Sequence, residues 1–330
     1  MKATMKDVAA LAGVGVGTVS RVINGVKVKE ITRKKVEAAI NELSYEPDEY
    51  ARALKTNRSN TLALILPTIW HPFFSELAYY IEEELSKKGY KLYLCNADGD
   101  PEKEYEYIQM VKQNKVDGII GITYSDVDKY VSSNLPFVSI DRHFSEDVTY
   151  VTSDNFAGGR LAAKELVKRG CKTVAYIGGF SPFPNETVNR REGFLAYCRD
   201  KKITYKILDM PEPITDLREQ ILQFIKKNDT IDGIFTVNDF MGLNVLETLE
   251  TIGKTAPKDF QLIGFDGVRM AQERKYALST IAQSVPLMAV TAVDAILNKI
   301  KGVEVPKRII LPVTFVSNYT TIENDKDAIT

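Results

Sequence analysis

Polar and aromatic side chains cluster where the chain's most apolar runs end: His71-Pro72-Phe73-Phe74, Asp98, Asp141-Arg142, Asn238-Asp239, Asp266 and Gln283, with Arg190 just ahead of Gly193-Phe194. Together they supply carboxylates, amides, guanidinium groups and aromatic faces. Sugar hydroxyls both donate and accept hydrogen bonds, and sugar rings stack on apolar faces, so this mixture suits a carbohydrate. It does not suit bond-breaking chemistry. No Ser/His/Asp grouping appears, and nothing in the sequence separates Asp98 from Asp100 as acid and base. Three scattered cysteines (Cys95, Cys171, Cys198) and two distant histidines (His71, His143) lack metal-ligand spacing, so no metal, no cofactor and no enzyme activity are expected. The odd cysteine count favours a reducing, cytoplasmic setting.

The elements that must position these residues alternate. Apolar strand candidates run over Leu62–Leu66, Lys91–Cys95, Gly118–Ile122, Phe137–Ile140, Thr173–Gly178, Gly233–Val237 and Gln261–Phe265, and amphipathic helices over Phe73–Lys88 and Asn155–Arg169. Such alternation predicts doubly wound parallel sheets, and about 270 residues of it predicts two lobes. In that architecture ligands sit beyond the carboxyl ends of the strands, where the polar set falls. No apolar run is long enough for a transmembrane helix, so no membrane partner is expected.

The first 60 residues read differently. They carry 11 Lys/Arg against 7 Asp/Glu, a net of +4, whereas the remainder is net −5. A basic head on an acidic body fits a polyanion reader at one end. Lys6 to Leu11 places Val8, Leu11 and Ala12 on one face of a short helix; Gly13 turns the chain and Val14 anchors the turn. A second helix spans about Val16 to Asn24 with Val19, Val22 and Ile23 inward. Val16, Gly17, Ser20, Arg21 and Asn24 face outward, and Arg21 is the best candidate for a bidentate contact to guanine. This is the form of a helix-turn-helix that lays its second helix in a major groove.

A third helix is expected over Thr32–Leu43, capped by Thr32, with Val36, Ala39, Ile40 and Leu43 buried. Pro47 then breaks the chain, and Asp48 can cap a short helix to about Lys55, one too short to be stable alone. Two other readings of the start fail. Lys2 and Lys6 before Val8–Val16 imitate a signal peptide, but Asp7 heads an Ala/Gly-rich run and Arg21 follows with helical patterning. Gly13-x-Gly15-x-Gly17 is not a dinucleotide fingerprint and follows a helix rather than a strand.

Asp7-Val8-Ala9, Ala12-Gly13-Val14, Thr18-Val19-Ser20-Arg21-Val22-Ile23-Asn24, Tyr45-x-Pro47 and Ala51-Arg52-x-Leu54 resemble the lactose/galactose repressor family, and the resemblance extends over the whole chain. It implies a hinge helix whose Leu54 wedges into the central minor groove of a palindromic operator, kinking a deformable step. It also implies sugar contacts from Phe73, Phe74, Asp141, Arg142, Arg190, Asn238, Asp266 and Gln283, in lobes similar to periplasmic pentose- and hexose-binding proteins. The runs Ser139-Ile140-Asp141-Arg142 and Ser153-Asp154-Asn155 are similar to the sucrose-operon branch of that family. Several positions depart from the family pattern. Gly15 stands where Ser is usual, Val16 and Gly17 make a poor base-reading pair, Asp48-Glu49 is acidic, His71 replaces a common Asn, and Gly267 replaces a second Asp.

The resulting expectation is an all-α helix-turn-helix head with hinge helix, joined to an α/β periplasmic-binding-protein-like body of two doubly wound parallel-sheet lobes. Residues 1–47 form the head and 48–60 the hinge. One lobe comprises 61–155 plus 285–312, and the other 156–284 plus 313–330. The expected partners are operator DNA, read by Val16, Gly17, Thr18, Ser20, Arg21, Asn24 and Leu54, a small sugar effector, and a second copy of the chain. A phosphoprotein corepressor in place of a sugar is the alternative partner, and a sugar-binding protein with no DNA role the alternative function. The C-terminal tail lacks leucine heptads, so no tetramer is expected.

Overall fold

The structure, a computed structural model, describes residues 3–46, 58–113, 116–123, 135–144, 148–181 and 185–323. The chain divides into two compact units, Met1–Ser59 and Asn60–Thr330. The expected hinge helix, with Leu54, lies outside the described residues.

The first unit holds α1 (Met5–Ala12), α2 (Val16–Ile23) and α3 (Glu30–Glu42). Thr4 and Asp7 form a reciprocal capping box at the start of α1, and Gly13 ends it in the left-handed region at φ 66°. Val8, Ala9, Ala12, Val19, Val36, Ala39 and Tyr45 make a small core. Two expectations are corrected here. Leu11 is 46% exposed and Ala9 is buried instead, because at 100° per residue the inward stripe of α1 centres on Val8, Ala9 and Ala12. Thr32 is not a cap: Lys29 holds that position and α3 starts at Glu30, whose carboxylate suits the helix N-terminus and pairs with Arg33.

The second unit contains two six-stranded sheets. The first is ordered β11-β5-β4-β3-β1-β2: β1 (Thr61–Leu66), β2 (Lys91–Asn96), β3 (Gly118–Gly121), β4 (Phe137–Ile140), β5 (Thr149–Ser153) and β11 (Arg308–Leu311), all parallel. The second is ordered β12-β10-β9-β8-β6-β7: β6 (Thr173–Phe180), β7 (Thr204–Pro211), β8 (Gly233–Thr236), β9 (Gln261–Asp266), β10 (Thr280–Gln283) and β12 (Val313–Val316). Only the β10–β12 pairing is antiparallel in that sheet. β1, β3, β4, β8 and β9 are buried along their full length, as strands covered on both faces must be.

Helices α4 (Pro72–Lys87) and α10 (Val285–Ile300) cover one face of the first sheet and α5 (Pro101–Gln113) the other. Helices α6 (Asn155–Lys168) and α7 (Val188–Lys201) cover one face of the second sheet, with α8 (Leu217–Lys227) and α9 (Asp239–Glu250) opposite. The chain therefore crosses between sheets after β5, after β10 and between β11 and β12. The first and third crossings are tied by Asp154 N–H donating to Leu311 O at 2.8 Å.

α6 and α7 pack closer than ordinary side chains permit. A Cβ on Gly159 would stand 1.9 Å from the Arg190 carbonyl oxygen, and one on Gly193 2.0 Å from that of Phe156. The obstruction is backbone, so the helices would have to move apart. Because α7 carries Arg190, Gly159→Ala should cost roughly 1–3 kcal/mol in urea unfolding and weaken effector binding with it. Unchanged stability would mean the two helices are free to separate.

Candidate functional site

On α2, the reading face opens without a side-chain cap: Gly15 takes the N-cap position at φ −75°, ψ 149°. Val16 is 42% exposed, Gly17 and Arg21 are exposed, Thr18 and Ser20 are half-buried, and Val19 anchors the helix from beneath. Asn24 is exposed, yet its Nδ2 turns back to donate to Ser20 O at 2.7 Å, closing the helix end. The base-reading surface is thus thin, with Arg21 its longest donor.

In the second unit the polar set gathers at the carboxyl ends of both sheets. Asp141 follows β4, Asp266 ends β9, Gln283 ends β10, and Arg190 rises from the first turn of α7. Arg190 donates through Nε to Asn155 Oδ1 at 2.8 Å, and through Nη1 to Val237 O at 2.7 Å and Asp266 Oδ1 at 3.1 Å. Its guanidinium carbon sits 3.8 Å from the Phe265 ring centroid. Gln283 Nε2 donates to the same Asp266 oxygen at 2.9 Å. On the other side, Asn155 Nδ2 donates to Thr152 Oγ1 at 3.1 Å, and that hydroxyl donates to Asp141 Oδ1 at 2.7 Å. One buried chain of polar groups therefore runs from Asp141, through Thr152, Asn155 and Arg190, to Asp266 and Gln283, linking the two sheets.

Asp239 lies behind this chain, fully buried. Val268 N–H donates to its Oδ2 at 2.6 Å and Thr280 Oγ1 to its Oδ1 at 2.7 Å, while Gly267 N–H donates to Thr280 Oγ1. This clamp fixes the turn after β9, in which Asp266 has φ 111° and Gly267 φ 78°. Burial pushes the carboxyls of Asp141 and Asp239 upward and that of Asp266 to about 6, with Arg190 holding Asp141 and Asp266 partly down.

His71 and Phe74 enter from the start of α4. The His71 ring lies 5.1 Å from Phe74 and 4.5 Å from Phe240, so it touches both lobes. Outside the network, Arg269 from the turn after β9 forms an ion pair with Glu76 of α4, a second bridge between the lobes.

Other expected site residues are placed elsewhere. Phe73 is 5% exposed within the core of the first sheet, since consecutive helix residues point about 100° apart and only Phe74 reaches His71. Arg142 is held beside Asp141, where its Nη1 donates to Thr123 O at 3.2 Å and its guanidinium lies over Phe144. Asp141, at φ 56°, reverses the chain between the two neighbours. Asn238 Oδ1 accepts from Met241 N–H at 2.8 Å and caps α9. Thr152, Asn155, Phe240 and the Glu76–Arg269 pair were not foreseen. Asn155 is the last residue of the Ser153-Asp154-Asn155 run, and Phe240 follows Asn238-Asp239, so those motifs were the available signal.

Residues 4–48 match the model of bacterial regulatory proteins of the lacI family, and residues 59–319 match that of periplasmic binding proteins and the sugar-binding domain of the LacI family. The chain belongs to the LacI family. This LacI-family chain is 36% identical over 320 residues to the sucrose operon repressor of Streptococcus mutans, covering 96% of this chain and 99% of that one. A solved periplasmic binding protein/LacI transcriptional regulator from Alkaliphilus metalliredigens, complexed with D-xylulofuranose, is 31% identical with a TM-score of 0.72 and covers 80% of this chain and 100% of its own. The lac repressor dimer bound to operator and an anti-inducer shares the fold at a TM-score of 0.84 and 24% identity, over 98% of this chain and 100% of its own. As a LacI-family member, the protein joins a helix-turn-helix DNA-binding head to a two-lobed sugar-binding body. Among the described residues no helix is long and apolar enough to cross a membrane, and no group of three His, Cys, Asp or Glu could hold a metal.

The cleft carries a pH signature. Burial, and then the charge of Arg190, lowers His71 to about 4, against an ordinary value near 6.5. The unfolded chain therefore takes up this proton first, so the contribution of His71 is intact above pH 6.5 and is lost as pH falls toward 4. Asp266, raised to about 6, acts oppositely: its contribution is present below the ordinary carboxylate range and is lost as pH rises through 6. A His71→Asn variant should lose roughly 1–2 kcal/mol less stability than the parent between pH 7 and pH 5 in urea titrations. Equal losses would remove His71 as the source.

Proposed function

We propose that this protein represses a carbohydrate operon: as a homodimer it binds a pseudo-palindromic operator, and it lets go when a small sugar fills the cleft between its lobes. The observation that carries this reading is the buried chain from Asp141 to Gln283. It presents carboxylate and amide oxygens beside the His71, Phe74 and Phe240 rings. That chemistry suits sugar hydroxyls and a sugar face. The sucrose operon named for one relative and the D-xylulofuranose bound to another protein of this family point the same way.

In this reading Arg21 makes the principal base contact, Val16 meets a thymine methyl, and Thr18 and Ser20 with the uncapped amides of α2 take phosphates. Asn24 holds the helix end more than it reads sequence. With Gly17 offering no side chain, operator shape carries much of the specificity. Sugar bridging Asp141 and Arg190 stabilises one arrangement of the lobes, and a differential affinity worth about 1–3 kcal/mol suffices to shift the DNA-competent population. Such a regulator works where the chromosome is, in the cytoplasm, and performs no catalysis.

The test begins with an operator selected by the full-length protein from a random duplex library, followed by gel shifts with mono- and disaccharides. At least one sugar should release the DNA. Arg21→Ala should cost roughly 1–3 kcal/mol of operator discrimination while leaving calorimetric sugar binding intact. A loss of sugar affinity in that variant would contradict the two-module reading, and tightening of DNA binding only by a phosphoprotein would replace the sugar as effector.

A further inference from the structure

We propose that the effector is a neutral, unphosphorylated carbohydrate and that the cleft discriminates against the phosphate ester of the same sugar, an inference that rests on the sugar-controlled reading above. Most donors of the polar chain are engaged within it. Arg190 Nε and Nη1 are held by Asn155, Val237 and Asp266, and Gln283 Nε2 by Asp266. Arg142 Nη1 donates to Thr123 O and its guanidinium lies over Phe144, which leaves Nε as a buried donor that makes no hydrogen bond among the described residues. Arg308 is engaged by Glu186.

The acceptors are not spent. Gln283 Oε1 is a buried acceptor with no hydrogen-bond partner among the described residues, and His71 Nδ1 and the Ser139 and Ser153 hydroxyls, which can accept or donate, are likewise unengaged. Asp141 and Asp266 each present a second carboxylate oxygen beyond the one engaged above. A neutral polyol meets such a surface well, because each hydroxyl brings one proton to donate. A phosphate monoester brings nearly two negative charges and oxygens that mostly accept.

The usual anion sites of such folds are also less favourable. Helix N-termini bind phosphate through free amides and the helix dipole. Here α4 begins with Pro72, which has no N–H, and α10 has Pro286 in its first turn. Asp154 accepts from Ala157 N–H at the start of α6. Asn238 accepts from Met241 N–H at the start of α9, where Asp239 adds a carboxylate. α7 starts beside Glu186, whose carboxylate accepts from Asn189 Nδ2. Each N-terminus that follows a strand end near the cleft thus carries an acid or a proline.

The test is calorimetry on the full chain with matched pairs: ribose and ribose 5-phosphate, fructose and fructose 6-phosphate, sucrose and sucrose 6-phosphate. For whichever sugar binds, the neutral member should bind at least about 100-fold more tightly than its ester, the scale of burying an uncompensated charge. It should also be the member that releases operator DNA. An ester that binds as tightly or more tightly overturns the inference while leaving sugar control standing; no binding by any member overturns both. Asp266→Asn adds an independent reading. Removing this charge should weaken the neutral sugar and narrow its preference over the ester by about tenfold, the scale of one charge interaction, whereas a purely structural loss would weaken both ligands equally.

Discussion

The guanidinium of Arg190 and the carboxylate of Asp266 are both removed from water, and each is tolerable there only because the other is present. Desolvating two charges costs more than their attraction returns unless further hydrogen bonds complete the geometry. Here Asn155, Val237 O, Gln283 and the Phe265 ring supply that completion. Asp239 and Thr280 hold the turn that aims Asp266, and Gly159 with Gly193 let α7 come close enough to deliver Arg190. Part of the second unit's local peculiarity, including the left-handed turn at Asp266 and Gly267, serves that one pair. A buried pair of this kind is a poor stabiliser but a strict geometric specification, which is what a ligand site requires.

The same arrangement makes the site responsive. A ligand that touches Asp141 and Arg190 touches strands of both sheets at once, and the cross-lobe contacts among the described residues include the His71–Phe240 rings, the Glu76–Arg269 and Glu186–Arg308 pairs, and Glu186 N–H donating to Asp141 O at 3.0 Å. Ion pairs that keep partial contact with water, as these do, contribute modestly to stability. A ligand that adds contacts to both lobes at this point can shift the balance between lobe arrangements, which is control by population shift.

How much of this the sequence disclosed follows from physical signal strength. Strands with unbroken apolar runs, such as Leu62–Leu66 and Leu262–Phe265, announced themselves. Thr149–Ser153 and Thr280–Gln283 are short and rich in hydroxyls, and Thr204–Pro211 is a partly exposed edge, so none carried enough apolar signal to be read. Asp141, Arg190, Asp266 and Gln283 stood out because they are charged or amide residues beside apolar runs. Phe73 packs into the sheet core while Phe74 meets His71, because neighbours on a helix point apart in space, and that divergence is not visible in the string of residues. Thr152 and Asn155 act only through partners distant in sequence, and a pattern of spacings holds no record of such partners.

The three crossings between the sheets lie within a few residues of the polar chain itself. Thr152 and Asn155 flank the first, Gln283 immediately precedes the second, and Leu311 at the third is bonded to Asp154. Ligand force is thus applied at the fulcrum rather than at the rim. Work done there trades distance for angle, so sub-ångström adjustments around a sugar translate into larger arcs at the ends of the lobes remote from it.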